Sequence, residues 1–256
     1  MSSTDEPGQM PATAELADSD SGAHPLDHVI WRALTSRHRN VAEGDQLALR
    51  YLAPIAPFAA MVDVSTASFE SLLGLLPAGD QIALFTLEEI TPPSSFSVIQ
   101  RAAVDQMVLV KRPSYTGSVP IVELDAKDIP DMLALVEATH PGPFGARTIE
   151  LGQYIGVRRQ GILVAMAGER MRLDSFTEIS AVCVHPSCRG QGLAAELIGA
   201  LARSIASRAE TSFLHVFNSN RPAIDLYRKL GFVLRRHLHL AILARASSVH
   251  TSANDR

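Results

Sequence analysis

The sequence predicts a mixed α/β fold, with helices on both faces of a mixed central sheet and a smaller N-terminal α/β domain. The chain has 256 residues, of which 46% are hydrophobic, enough for one large domain or two small ones. In its second half, strand-forming runs alternate with helical stretches, as in an α/β sandwich. Between the halves, the stretch KRPSYTGSVP combines Pro, Gly and Ser with charge and predicts a linker at 113–120.

The first half contains the shorter predicted elements. Residues 1–24 and 246–256 are polar and poor in aromatic residues, so we expect disordered tails there. The stretch 25–112 is the predicted N-terminal α/β domain. Its predicted elements are helices at Leu26–Leu34 and Thr66–Leu76 and strands near Leu47–Tyr51, Gln81–Leu87 and Val104–Val110.

The second predicted domain, 121–245, has the clearer pattern. A helix is predicted at Asp131–Thr139, followed by two strands, GILVAMAGERM and FTEISAVCV. The stretch LAAELIGALARSIASR then repeats apolar residues every fourth position, which is typical of a buried helix face. A strand SFLHVF, a helix RPAIDLYRKL and a final strand FVLRRHLHLAIL follow, and Gly231 directly after the helix is the expected left-handed stop.

Composition restricts the possible partners. With 23 basic and 27 acidic residues, the net charge is -4, which disfavours a nucleic acid or an anionic membrane as the main partner. Two cysteines give no disulfide framework, no secretory signal is recognisable, and the longest apolar run is too short to cross a bilayer. We therefore expect a cytoplasmic protein, and composition leaves a small-molecule ligand open; the sequence does not indicate its oligomeric state.

A glycine-rich turn, HPSCRGQGLA, is the first candidate site. Pro186 ends the preceding strand, while Gly190 and Gly192 allow a ligand to approach the backbone. The helix that follows presents unpaired N–H groups to this turn, and the Arg189 guanidinium matches phosphate oxygens. The turn is therefore either an anion cradle or simply a tight connection. A metal site at Cys183, His185 and Cys188 is disfavoured because no fourth ligand lies nearby, so we predict no metal.

Two motifs in this order resemble a known family. Arg189-Gly190-Gln191-Gly192-Leu193-Ala194, after AVCVHP, resembles the acyl-CoA signature of the GNAT superfamily of N-acyltransferases. The stretch from Asn220 to Phe232, NRPAIDLYRKLGF, resembles the second motif of that superfamily. The sequences of both motifs are most similar to its FR47-like branch. The resemblance covers about 121–245 and implies a GNAT-like central sheet, acetyl-CoA as co-substrate and transfer to an amine; 25–112 carries no recognisable motif and could be a degenerate GNAT-like half.

The resemblance also implies roles for individual residues. The backbone that would bind the pantetheine arm is that of Val182, Cys183 and Val184. The pyrophosphate would lie over Arg189, Gly190, Gln191, Gly192, Leu193 and Ala194. Asn220 could cap its helix, hydrogen-bond the cofactor arm, or do both.

Two further residues are candidates for proton transfer. Glu178 is the candidate base, the alternative being a strand-end carboxylate that faces solvent or pairs with an arginine. Tyr227 is the candidate acid for the departing thiolate, the alternative being a core aromatic. The sequence thus predicts an N-acetyltransferase that works by direct attack, with a non-catalytic acyl-CoA sensor as the alternative. It leaves open whether the acceptor is a small amine, an amino acid, an antibiotic or a protein.

Overall fold

The computed structural model describes residues 24–111 and 117–246. Most of the two predicted tails, 1–23 and 247–256, and part of the predicted linker, 112–116, lie outside the described residues. The helices are α1 (Val29–Thr35), α2 (Thr66–Gly74), α3 (Ile129–Thr139), α4 (Leu193–Ser207) and α5 (Arg221–Lys229). The strands are β1 (Ala42–Gly44), β2 (Ala48–Tyr51), β3 (Ala59–Met61), β4 (Gln81–Thr86), β5 (Phe96–Leu109), β6 (Val122–Leu124), β7 (Tyr154–Arg159), β8 (Ile162–Arg172), β9 (Phe176–Val184), β10 (Thr211–Phe217) and β11 (Phe232–Arg245).

Eight strands form a mixed central sheet in the order β4-β11-β5-β10-β9-β8-β7-β6, and β1-β2-β3 form a small separate sheet. In the large sheet, β9 and β10 are parallel and the other neighbours are antiparallel. Helices cover both faces, since Ala165 and Ala167 of β8 share a core cluster with α4 while Met166 shares one with α3. The predicted fold class is confirmed, including the smaller sheet in the N-terminal half.

The strand order corrects the predicted boundary between the halves. Strands β4 and β5 belong to 25–112, yet β5 lies between β10 and β11 and pairs with both. One core cluster likewise joins Leu26 and Ile30 of the first half to Met171 and Phe213 of the second. The linker at 113–120 therefore does not separate two cores, because the Pro, Gly and Ser there mark a connection but carry no information on which strands pair across it.

The parallel pair β9 and β10 separates soon after it forms. The two strands pair only at Phe176–Glu178 and Thr211–Phe213. Beyond Glu178, strand β9 contains Ala181 at φ 51°, and its register with β8 shifts at this point, which is a β-bulge. A gap consequently opens in the middle of the sheet, between Ile179–Val184 and the end of β10.

Among the described helices, none has the length and apolar character that crossing a membrane requires.

Candidate active site

A cavity of about 470 Å³ lies at the gap between β9 and β10. One end, which we call the cofactor end because residues predicted to bind the cofactor lie there, is lined by Val182–Val184, Arg189, Asn220 and Tyr227. Its other end is lined by Arg170, His215 and a set of apolar side chains that we call the apolar wall: Phe58, Phe85, Val104, Leu240 and Ile242. Both halves of the chain thus contribute to one cavity, as expected for a ligand site between packed units.

The glycine turn presents a row of free donors beside the cofactor end. Gly190 and Gly192 have φ values of 75° and 76°, a region that side chains rarely adopt. The first α4 bond runs from Glu196 N–H to the Gly192 carbonyl, and the N–H groups from Gly190 to Ala195 donate to no described residue. A Cβ on either glycine would meet nothing within 4 Å. Together these features suit an anion held by main-chain donors at a helix N-terminus.

The cavity-facing edge of β9 also has free backbone groups. On its other edge, Val184 and Cys183 pair with Ala165 and Met166 of β8. Toward β10, no pairing is present beyond Glu178 in the described sheet. The Cys183 thiol contributes no nucleophile at neutral pH, because burial raises its pKa to about 11. The segment Val182–Val184 can therefore offer its backbone to an extended ligand, as the resemblance implies.

Helix α5 places two of the predicted residues on this cavity. Asn220 caps the helix, since its Oδ1 accepts from the Ala223 N–H at 3.3 Å, which confirms the predicted cap. Tyr227 lies with its ring edge against Phe232, at 6.0 Å between centroids. Burial raises the Tyr227 pKa to about 12, so the phenol is protonated at neutral pH. Its hydroxyl donates to no described side chain and can serve a ligand in the cavity.

Glu178 lies behind the cavity rather than on its surface. Its Oε1 accepts from Arg170 Nη2 at 2.5 Å and from His215 Nδ1 at 2.8 Å. Its Oε2 accepts from Arg170 Nε at 2.8 Å and from the Met171 N–H at 3.4 Å. A carboxylate has about four lone-pair positions, and all four are filled here. Although burial opposes the charge, Arg170 and His215 hold the Glu178 pKa down to about 2.

This geometry does not support the prediction that Glu178 takes the acceptor proton directly. The side chain is 0% exposed and is absent from the cavity lining. An alkylammonium has a pKa of about 8 to 10, so a carboxylate with a pKa of about 2 is a poor proton acceptor for it. The alternative reading, a glutamate paired with an arginine, is the one the structure shows.

A polar chain that the sequence did not predict ends at Glu178. Arg235 Nη1 donates to Gln106 Oε1 at 2.8 Å, and Gln106 Nε2 donates to the Leu26 carbonyl at 2.9 Å. These two contacts fix the orientation of the Gln106 amide, so its Nε2 also donates to His215 Nε2, 3.1 Å away. His215 must then carry its proton on Nδ1, facing Glu178. The one signal for it in the sequence is a lone histidine within the apolar strand SFLHVF.

The described residues contain no group of three or more His, Cys, Asp or Glu side chains that could hold a metal ion.

The split parallel pair, the free donors of the glycine turn and the shared cavity define an acyltransferase fold of the GNAT type. Residues 154–240 match the family model described as FR47-like protein. A solved structure from Novosphingobium aromaticivorans, assigned as an acetyltransferase of the GNAT family, is 37% identical, with a TM-score of 0.82 over 88% of this chain and 100% of that one. The chain belongs to the GNAT superfamily and carries an FR47-like domain.

More distant structures share the fold alone. A GCN5-related N-acetyltransferase from Kribbella flavida is 16% identical, with a TM-score of 0.57 over 86% of this chain and 96% of that one. A conserved protein of unknown function from Staphylococcus epidermidis is also 16% identical, with a TM-score of 0.55 over 80% of this chain and 93% of that one. No curated protein matches the sequence.

Proposed function

We propose that this protein transfers an acetyl group from acetyl-CoA to a primary amine by direct attack. The observation that carries the proposal is that one cavity joins the free edge of Val182–Val184, the region of the glycine turn and the Tyr227 phenol. The amine nitrogen attacks the thioester carbonyl, so that an N–C bond forms and the C–S bond breaks. The thiolate of CoA leaves and gains a proton from the Tyr227 hydroxyl, while the amine loses a proton to the solvent, which returns one to Tyr227.

The residues present fit acetyl-CoA, which supplies the activated acyl group when it is bound. The N–H groups from Gly190 to Ala194, with Arg189, would hold the pyrophosphate. Arg189 Nε donates to the Val184 carbonyl at 3.4 Å, which keeps the guanidinium beside the cavity mouth. The open edge of Val182–Val184 would pair with the amides of the pantetheine arm, and Asn220 lines the same end.

Tyr227 is our candidate for the general acid. Its hydroxyl is protonated at neutral pH because burial raises its pKa to about 12. The same desolvation raises the pKa of a leaving thiol above its free value of about 8.5, which narrows the mismatch between donor and acceptor. A positioned acid of this kind contributes roughly 10²- to 10⁴-fold to the rate.

We assign Glu178 a positioning role in place of the predicted base. It holds Arg170 and the Nδ1-protonated His215 in place on the cavity, while its own lone pairs are filled. The described cavity lining contains no carboxylate, and we propose that the acceptor reacts as the neutral amine or loses its proton to water. The rate should accordingly rise with pH up to the pKa of the acceptor amine.

The experiment is a thiol-release assay with acetyl-CoA against a panel of amines, amino acids and peptides, repeated with Tyr227→Phe. We expect kcat to fall by about 10²-fold or more, with little change in the KM for acetyl-CoA, because only one hydroxyl is lost. Tyr154→Phe is the matched control, since Tyr154 is buried but lies outside the cavity lining. Full activity of Tyr227→Phe would remove its catalytic role, and tight acetyl-CoA binding without turnover on any acceptor would favour the sensor.

A further inference from the structure

The cavity end opposite the cofactor residues has an unusual charge pattern for a site that receives amines. None of the described residues that line the cavity is Asp or Glu, whereas two of them, Arg170 and Arg189, are arginines. Arg189 lies at the cofactor end, whereas Arg170 lies among the side chains of the apolar wall. The guanidinium carbon of Arg170 is 4.7 Å from the centre of the Phe58 ring. A polycationic acceptor would therefore find no opposite charge in this cavity.

Arg170 has one nitrogen left for a ligand. Nε and Nη2 both donate to Glu178, and Nη1 donates to no described residue. The Arg170 side chain is 11% exposed, and it faces the cavity. Glu178 on one edge and Phe58 on one face hold the guanidinium rigid, so the position of Nη1 is fixed before any ligand binds. A fixed, largely desolvated donor with positive charge is the group that recognises a carboxylate.

The other side chains at this end of the cavity are mostly apolar and pack closely against one another. The Phe85 ring lies 4.7 Å from the His215 ring and 5.6 Å from the Phe58 ring. Leu240 pairs with Phe85 across β11 and β4, and Ile242 pairs with Ala83, so their side chains share one face of the sheet. This surface would take a hydrocarbon group and gives it no hydrogen-bonding partner apart from Gln100 at the margin.

We infer that the acceptor is an α-amino acid with an apolar side chain, its carboxylate bound by Arg170 Nη1 and its side chain packed on the apolar wall. The inference rests on the proposed function, because it names the acceptor of that same site. The free Nη1 favours this acceptor: it offers the carboxylate a charged hydrogen-bond donor that Glu178 leaves unused, and the amine enters the reaction uncharged. Amines that lack a carboxylate would leave Nη1 unpaired.

The test separates recognition of the carboxylate from turnover. Calorimetry in the presence of CoA compares N-acetyl-leucine with N-acetyl-leucinamide, which differ only in the charged group. We expect the acid to bind about 10- to 100-fold more tightly, the range for a hydrogen bond to a charged group. N-acetylglycine should bind about tenfold more weakly than N-acetyl-leucine, since it lacks the side chain that packs on the wall.

Kinetics then use leucine, leucinamide and isoamylamine, the decarboxylated analogue, as acceptors. Arg170→Lys keeps a positive charge beside Glu178 but loses the rigid third nitrogen, so the preference for leucine over the two analogues, measured as the ratio of their kcat/KM values, should fall about tenfold or more. Arg147→Lys is the matched control, because Arg147 pairs with Glu150 on the surface. If Arg170→Lys does not fold, the comparison of acid and amide on the unaltered protein still decides.

The two proposals fail in different ways. Equal binding of N-acetyl-leucine and its amide, or equal turnover of leucine and isoamylamine, would overturn the acceptor inference and leave acetyl transfer standing. Tight, Arg170-dependent binding of N-acetyl-leucine without transfer to any acceptor would support recognition of the carboxylate and refute the proposed catalysis.

Discussion

Replacing Glu178 with glutamine tests the buried charge pair on which the site is built. Glu178 is 0% exposed, and its pKa is lowered from the usual 4.5 to about 2, against the opposing effect of burial, by Arg170 and His215. Each pKa unit corresponds to about 1.4 kcal/mol, so this charge contributes about 3 kcal/mol to the free energy of unfolding at pH 7. Removing one partner of a buried ion pair costs about 3 to 5 kcal/mol in general, which is the same size.

The direction of the Glu178 pKa shift determines how its contribution to the free energy of unfolding changes with pH. Because the folded-state pKa of Glu178 is lower than the unfolded value, its stabilisation is complete above pH 4.5 and is lost as the pH falls toward 2. The stability difference between the original protein and Glu178→Gln should therefore shrink from about 3 kcal/mol at pH 7 to roughly half of that at pH 3. Taking the difference between two proteins removes the contribution of the titrating groups that do not contact Glu178.

Denaturant unfolding at the two pH values measures both quantities. Glu150→Gln is the control: Glu150 pairs with Arg147 on the surface, and loss of such a pair changes stability by less than about 1 kcal/mol. A Glu178→Gln protein within 1 kcal/mol of the original at pH 7, or a difference that does not shrink in acid, would refute the charged, four-contact state of this carboxylate. It would also reopen its role as a base.

Two further predictions concern glycines. Gly192→Val should weaken CoA binding by about tenfold or more in calorimetry, since the turn requires φ of 76° and an open approach; Gly192→Asn, which tolerates this φ better, should weaken it less, and unchanged affinity in a folded Gly192→Val protein would argue against the cradle. Gly168→Ala should lower stability by about 1 to 3 kcal/mol, because the new methyl carbon would lie 2.2 Å from the buried Tyr154 ring. In the same thermal unfolding series, Gly74→Ala should be neutral or slightly stabilising, since nothing lies within 4 Å of its Cβ position; equal effects of the two alanines would contradict the close packing at Tyr154.

Local patterns predicted the elements well where burial follows a simple period. Leu193, Leu197, Leu201 and Ile205 are all buried on α4, as their four-residue spacing indicates. Strand β5 shows the opposite case. Its residues Ser97–Arg101 are exposed on both faces, so they show no alternation, and only the second part of the strand was predicted. The short strands β1, β3 and β6 have three residues each, too few for any period to be visible.

The candidate site was predictable only where a motif is contiguous. The glycine turn and the α5 residues could be predicted because each motif is a run of consecutive residues. The structure places Arg189, Asn220 and Tyr227 on one cavity. The partners of Glu178 could not be read in this way. Arg170 reaches it across two strands whose register shifts between Glu169 and Arg172, and His215 reaches it across the parallel pair. A side chain that is polar and apparently isolated in sequence can thus be fully paired in space.

The position of β5 between β10 and β11 affects how the molecule is made. On a ribosome, β5 emerges about a hundred residues before either of its neighbours in the sheet. At about 5 to 20 residues per second, both of its edges stay unpaired for roughly 5 to 20 s. A fragment that starts near residue 121 would lack β5 altogether, so β10 and β11 would face each other across a missing strand.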